Sequence, residues 1–162
     1  MSRKTIPNHE IKELNEKLKV QFNINDLFTK KDRVEEIVPK GTENERILLR
    51  NGEPTFIERG AAFIPELHFI LKKNTLKTVT IDMAAIKFII NGADVMRPGI
   101  VAADEAIKEG EYVAIVDQKN RKPLAIGSAL VSSEALKTMD KGKAVKNLHY
   151  VGDDIWVTTS AL

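Results

Sequence analysis

The stretch Thr80-Ile81-Asp82-Met83-Ala84-Ala85-Ile86-Lys87-Phe88-Ile89-Ile90-Asn91-Gly92-Ala93-Asp94-Val95-Met96-Arg97-Pro98-Gly99-Ile100 decides how this chain is read. Its opening, with the preceding Thr78 and Val79, is β-branched and reads as a strand. Met83–Ile90 follows as a short apolar helix, stopped by Asn91-Gly92, a pair that tolerates the left-handed conformation at a helix end. Val95–Val101 then reads as extended, with its bend marked by Pro98-Gly99.

The pattern continues downstream. Glu111–Asp117 and Pro123–Val131 read as two strands joined by the polar turn Gln118–Lys122. Ser132 or Ser133 can cap a short helix running through Met139. Lys141-Gly142-Lys143 reads as a loop. Ala144–Val151 and Ile155–Thr159 read as a last hairpin around Gly152-Asp153, with Trp156 packing in its apolar final strand. Five or six short strands with two small helices, punctuated by glycine, predict a small closed or nearly closed barrel.

Upstream the signals differ. Ile11, Leu14, Leu18 and Phe22 recur at helical spacing, and Asn8 can cap that helix. A strand is expected at Val34–Val38. Ile47-Leu48-Leu49 and Thr55-Phe56-Ile57 flank Asn51-Gly52, the pairing of a tight hairpin, and Pro54 points to an edge position. Phe63–Leu71 reads as a short packed helix with Pro65 in its first turn. Lys72-Lys73-Asn74 is the expected boundary, which divides the chain into an α+β domain at 1–74 and a barrel at 75–159.

Bulk properties set limits. With 162 residues and 43% hydrophobic content, the chain can hold one mid-sized domain or two small ones. A domain near 75 residues buries only about 60 to 65% of its unfolded surface, so two halves of this size should pack together. There is no cysteine, which excludes disulfides, thiolate catalysis and cysteine-ligated zinc. No apolar run reaches the roughly 20 residues of a membrane span, nor does the start resemble a signal peptide, so a cytoplasmic protein is expected. The net charge is only +2, with 14 basic and 12 acidic residues before the boundary and 11 of each after it. Any nucleic-acid site is therefore a local patch.

Taken in order, these landmarks resemble the PUA family. Thr80 to Ile100 resembles its opening of strand, short apolar helix, Gly-Ala-Asp and an apolar stretch ending in Pro-Gly-Ile. Lys108-Glu109-Gly110-Glu111, the glycine strand Ala125-Ile126-Gly127-Ser128-Ala129, Ser132-Ser133-Glu134, Lys141-Gly142-Lys143-Ala144-Val145 and His149–Trp156 follow in the family's sequence. Ile64–Leu71 is similar to the end of a pre-PUA domain, an arrangement found in translation-machinery-associated proteins and their archaeal relatives. One departure stands out: the family usually has Gly-Ala where this chain has Ala84-Ala85, and a methyl group there limits how closely RNA approaches the backbone.

The resemblance implies a small α/β pre-PUA domain followed by a mixed barrel with two short helices, and a non-catalytic protein that docks structured RNA, a tRNA-like end or ribosomal RNA. The ribosome or a translation factor is the implied partner. An accessory subunit for a pseudouridine- or archaeosine-type enzyme, or a pure protein-interaction module, stays open. The implied RNA site runs over Met83, Ala84, Ala85, Lys87, Arg97, Pro98, Gly99, Ile100, Gly127, Ser128, Lys141 and Lys143. Lys87 and Arg97 are the expected phosphate contacts, and Gly127 and Ser128 the expected points of close approach. Gly92, Gly99 and Gly127 suit turns and bulges better than ligand contacts, and Lys141 and Lys143 equally suit a solvated loop. No cofactor is expected. His9, His68 and His149 have no metal spacing, and neither a phosphate loop nor a nucleophile elbow is present.

Overall fold

The computed structural model describes residues 2–162, which divide into two compact units: 2–66 with Thr158–Leu162, and Leu67–Val157. The first contains β1 (Arg3–Thr5), α1 (Asn8–Phe22), β2 (Val34–Ile37), β3 (Glu45–Arg50), β4 (Glu53–Arg59) and β5 (Ala62–Pro65). The five strands form one antiparallel sheet in sequence order. Leu14 and Leu18 are the buried residues of α1, and Phe22 packs on Phe56 of β4 with ring centroids 4.9 Å apart. Ile47, Leu48, Leu49, Ile57 and Ile64 complete a core that excludes water.

Local chemistry accounts for most of these elements and corrects three expectations. Pro7, not Asn8, holds the cap position of α1, because its extended backbone at φ −69° and ψ 154° already feeds the helix. Asn51 and Gly52 take φ of 54° and 86°, and the hairpin between β3 and β4 follows. Pro54 lies on an interior strand, at a bulge where the register slips between Leu48 and Leu49. Its missing amide is tolerated there because β5 pairs β4 only from Phe56 onward. Phe63–Pro65 is strand, and the helix begins only at Leu67. Pro65 ends an edge strand, where it too can lack a ladder hydrogen bond.

The second unit opens with α2 (Leu67–Lys72), so the chain divides after Glu66 and not at the expected Lys72–Asn74. Leu67 and Ile70 are buried, and α2 packs on the barrel wall. Then come β6 (Lys77–Ile81), a 3-10 turn over Met83–Ala85, α3 (Ile86–Ile89), β7 (Val95–Met96), a second 3-10 turn over Arg97–Gly99, and β8 (Ile100–Ala103). β9 (Tyr112–Asp117), β10 (Pro123–Ala129), α4 (Ser133–Thr138), β11 (Lys143–Tyr150) and α5 (Asp154–Ser160) complete the chain. The sheet order is β7-β11-β10-β9-β6-β8, with β6 and β9 parallel and the other pairs antiparallel. Its two outer strands, β7 and β8, are joined by the Arg97–Gly99 turn, which brings the sheet round into a nearly closed barrel. Val79, Ile81, Ile89, Val113, Ile115, Leu136 and Val145 fill the interior.

The expected final hairpin is instead β11 followed by α5. Asp153 decides it: Oδ1 accepts the Trp156 amide at 2.8 Å and caps the helix, while Oδ2 accepts the Tyr150 amide at 3.0 Å. The fully buried His149 places Nδ1 2.8 Å from the same Oδ2. Its Nε2 accepts the Leu67 amide at 3.1 Å, so the ring proton sits on Nδ1. Trp156 accordingly stacks on His68 from a helix, with centroids 4.1 Å apart, and not from a strand. Among the described residues, no helix is long and apolar enough to cross a membrane.

Candidate nucleic-acid interface

A groove of about 730 Å³ opens on the barrel beside α3. Its position follows from two local ties. Asp82 Oδ1 accepts the Ala85 amide at 2.9 Å and so caps the first 3-10 turn. The Asp82 amide donates to the Gly99 carbonyl at 2.9 Å, which holds the second 3-10 turn against the first. Ala84, Ala85, Pro98 and Gly99 consequently share one floor.

The helix that follows supplies the wall. Ile89 turns into the core, 2% exposed, while Phe88 stands 57% exposed at the groove. Lys87 Nζ lies 5.1 Å from the Phe88 ring centroid, within cation–π range. Gly92, at φ 93°, reverses the chain close against Tyr150, where a side chain would meet the phenol. Asn147 fixes the next segment by donating from Nδ2 to the carbonyls of Ile89 and Ala93, both at 3.0 Å.

The opposite wall carries Asp94, Val95, Met96 and Lys143. Asp94 Oδ1 accepts the Asn147 amide at 2.9 Å, and Oδ2 lies 3.2 Å from Lys143 Nζ. The Asn147 amide, aided by Lys143 and Lys146 against a smaller effect of burial, holds the Asp94 carboxyl below its usual value. Met96 is 46% exposed and Met83, on the neighbouring turn, 43%. Lys141 is exposed next to Gly142, whose carbonyl accepts the Arg97 amide at 2.8 Å.

The residues expected from sequence separate into two sets. Ala84, Ala85, Pro98, Gly99 and Lys143 line the groove, with Met83, Lys87 and Lys141 on the adjoining turn, helix and loop. Arg97, Ile100, Gly127 and Ser128 are not among its lining residues. Arg97 buttresses the seam of the barrel, donating from Nε to the Leu136 carbonyl at 2.9 Å and from Nη1 to the Ile100 carbonyl at 3.2 Å. Ile100 is core. Gly127 is buried at the β10–β11 bulge, where a Cβ would fall onto Val145 Cγ1 and lie 2.7 Å from the Lys146 carbonyl. Ser128 is half-buried beside it. Sequence reading missed Asp82, Phe88, Asp94 and Met96. A signal was present, since Met83–Ile90 has more apolar residues than one buried face of so short a helix can use.

The PUA domain model matches residues 77–151, which contain every residue of the groove. An uncharacterized protein of Methanocaldococcus jannaschii is 45% identical over 91% of this chain and 90% of its own length. Translation machinery-associated protein 20 of Eremothecium gossypii is 33% identical over 76% of each chain. This chain belongs to the PUA-domain family. The crystal structure of a hypothetical protein from Pyrococcus horikoshii OT3 superposes at a TM-score of 0.78, with 35% identity and coverage of 98% and 99%. The similarity therefore extends beyond the PUA domain to the whole chain. A PUA domain is an RNA-binding module, which makes RNA the ligand class to fit to the groove.

Proposed function

We propose that this protein docks structured RNA on the groove beside α3 and serves the translation machinery, without catalysing a reaction. The observation that carries the reading is a pair of exposed apolar side chains on facing walls, Phe88 and Met96, bordered by cations at Lys87, Lys141 and Lys143. Stacking surfaces flanked by positive charge suit RNA whose end is splayed from its helix. A net charge of +2 argues for a short footprint of a few phosphates and against a long basic track. Relatives named for the translation machinery, matched over most of their length, support the biological setting and with it a cytoplasmic site of action.

In this reading Lys87 and Lys141 meet phosphates, and Met83, Ala84, Ala85, Pro98, Gly99 and the Asp94-paired Lys143 supply contact surface. Arg97, Ile100, Gly127 and Ser128 hold the barrel in shape. Fluorescence anisotropy of an acceptor-stem hairpin with a single-stranded 3′ end tests it, with a blunt hairpin and a DNA copy as controls. Binding that needs the RNA end and shows a salt slope of only a few phosphates is expected. Equal, weak binding of all three contradicts it. Co-sedimentation with ribosomes tests the setting, and co-purification with an RNA-modifying enzyme instead moves the protein to that machinery.

A further inference from the structure

We propose that the groove is a nucleobase pocket that selects an unpaired base bearing an amino group, which Asp82 receives, and that the phosphates stay outside it. The proposal rests on the RNA-binding reading above and specifies which part of the RNA enters.

Charge inside the groove excludes phosphate. Two carboxylates, Asp82 and Asp94, line it against one cation, Lys143, and that ammonium is already 3.2 Å from Asp94 Oδ2. A phosphate placed there would face Asp82 with no cation left to compensate. The apolar lining, by contrast, matches the flat face of a base, and Phe88 offers a ring to stack on. A volume near 730 Å³ falls in the usual range of about 300 to 1,000 Å³ for small-ligand sites.

The two carboxylates are not equivalent. Both oxygens of Asp94 are engaged, one by the Asn147 amide and one by Lys143. Asp82 uses Oδ1 to cap Ala85, and its Oδ2 makes no hydrogen bond among the described residues. A carboxylate oxygen only accepts. Cytosine, adenine and guanine each present an exocyclic amino group to such an acceptor. Uracil presents a single imino proton between two carbonyl oxygens, which the carboxylate repels. The exposed Lys87 and Lys141, which do not line the groove, are placed for the phosphates on either side.

The test uses the full-length protein and four RNA hairpins identical except for one unpaired 3′ nucleotide, A, C, G or U, with the blunt hairpin as reference. Anisotropy should show the three amino bases binding about five- to tenfold tighter than U. Asp82→Asn keeps an acceptor for the Ala85 amide but offers an N–H₂ donor to the groove. It should abolish or invert the order in favour of U. Phe88→Ala should weaken every unpaired-end RNA and leave the blunt hairpin unchanged. Equal affinity for the four ends in wild-type protein overturns the proposal, whether or not Asp82→Asn folds, and leaves RNA binding itself intact. No binding to any RNA overturns both the proposal and the reading beneath it.

Discussion

The five-stranded sheet and the barrel use their charged and apolar side chains differently. In the sheet, Arg46 gathers three carboxylates, Glu58 at 2.7 Å and Glu10 and Glu36 at 2.9 Å. Arg59 pairs with Glu45, Arg33 with Glu35, and Arg50 donates to the Leu27 carbonyl. Beside the barrel groove, Lys87, Lys141 and Lys146 make no ion pair among the described residues, and Phe88, Met96 and Met83 are exposed together. Lysines are exposed in both units, and the first has isolated exposed apolar residues such as Val20. The groove differs in bringing the two features together. Satisfied charges hold a fold, whereas unpaired cations around exposed apolar surface are what the proposed docking site requires.

Substitutions can break or sharpen that contrast. The largest effect should come from the barrel wall, at a position without any charge. Gly127→Ala forces a methyl against Val145 and the Lys146 carbonyl, so urea unfolding should register a loss of about 2–3 kcal/mol. Arg46→Met comes next, since it strands three carboxylates that are 18 to 29% exposed. A cost of about 2 kcal/mol is expected in the same assay, discounted from a fully buried pair, with RNA binding unchanged. If RNA binding falls as well, the division of labour is wrong.

Asp153→Ala removes the cap of α5 and the acceptor for His149, and should cost about 1–2 kcal/mol. This site also sets a pH dependence. Burial pushes the Asp153 carboxyl up, but the His149 hydrogen bond and the Trp156 and Tyr150 amides outweigh it and leave the carboxyl below its ordinary value. A depressed carboxyl contributes stability above the unfolded value and loses it as pH falls through the folded one, here below about pH 4. Melting temperature followed from pH 6 to 3 should show that acid loss in wild type and less of it in the variant.

Smaller effects on folding, with clear ones on binding, belong to the groove. Phe88→Ala should change stability by less than about 0.5 kcal/mol while weakening the unpaired-end hairpin roughly tenfold. Lys87→Gln should lower the slope of log affinity against log salt by about 1 and cost little else.

Much of the barrel was legible because its turns carry explicit chemistry: Asn91-Gly92, Pro98-Gly99, Ser132 and Gly142 each stop or bend the chain where expected. The last element was not. Ile155, Val157, Thr158 and Thr159 are β-branched and favour a strand, but one capping carboxylate at Asp153 outweighed their propensity. Phe63–Pro65 failed in the opposite direction, since an apolar run of that length fits either helix or strand until its pairing with β4 is known. Of the groove's lining, Ala84, Ala85, Pro98 and Gly99 were already named by the resemblance. Asp82 and Phe88 were not, because each also has an ordinary structural reading: Asp82 as a cap, Phe88 as one more apolar helix residue.

The most direct measurement is a two-dimensional ¹H–¹⁵N NMR titration of the labelled protein with the unpaired-end hairpin. The account predicts that shift changes concentrate at 82–88, 92–99 and 141–146, leaving Arg46 and its carboxylates undisturbed. Changes centred on the five-stranded sheet, with the groove silent, would contradict it.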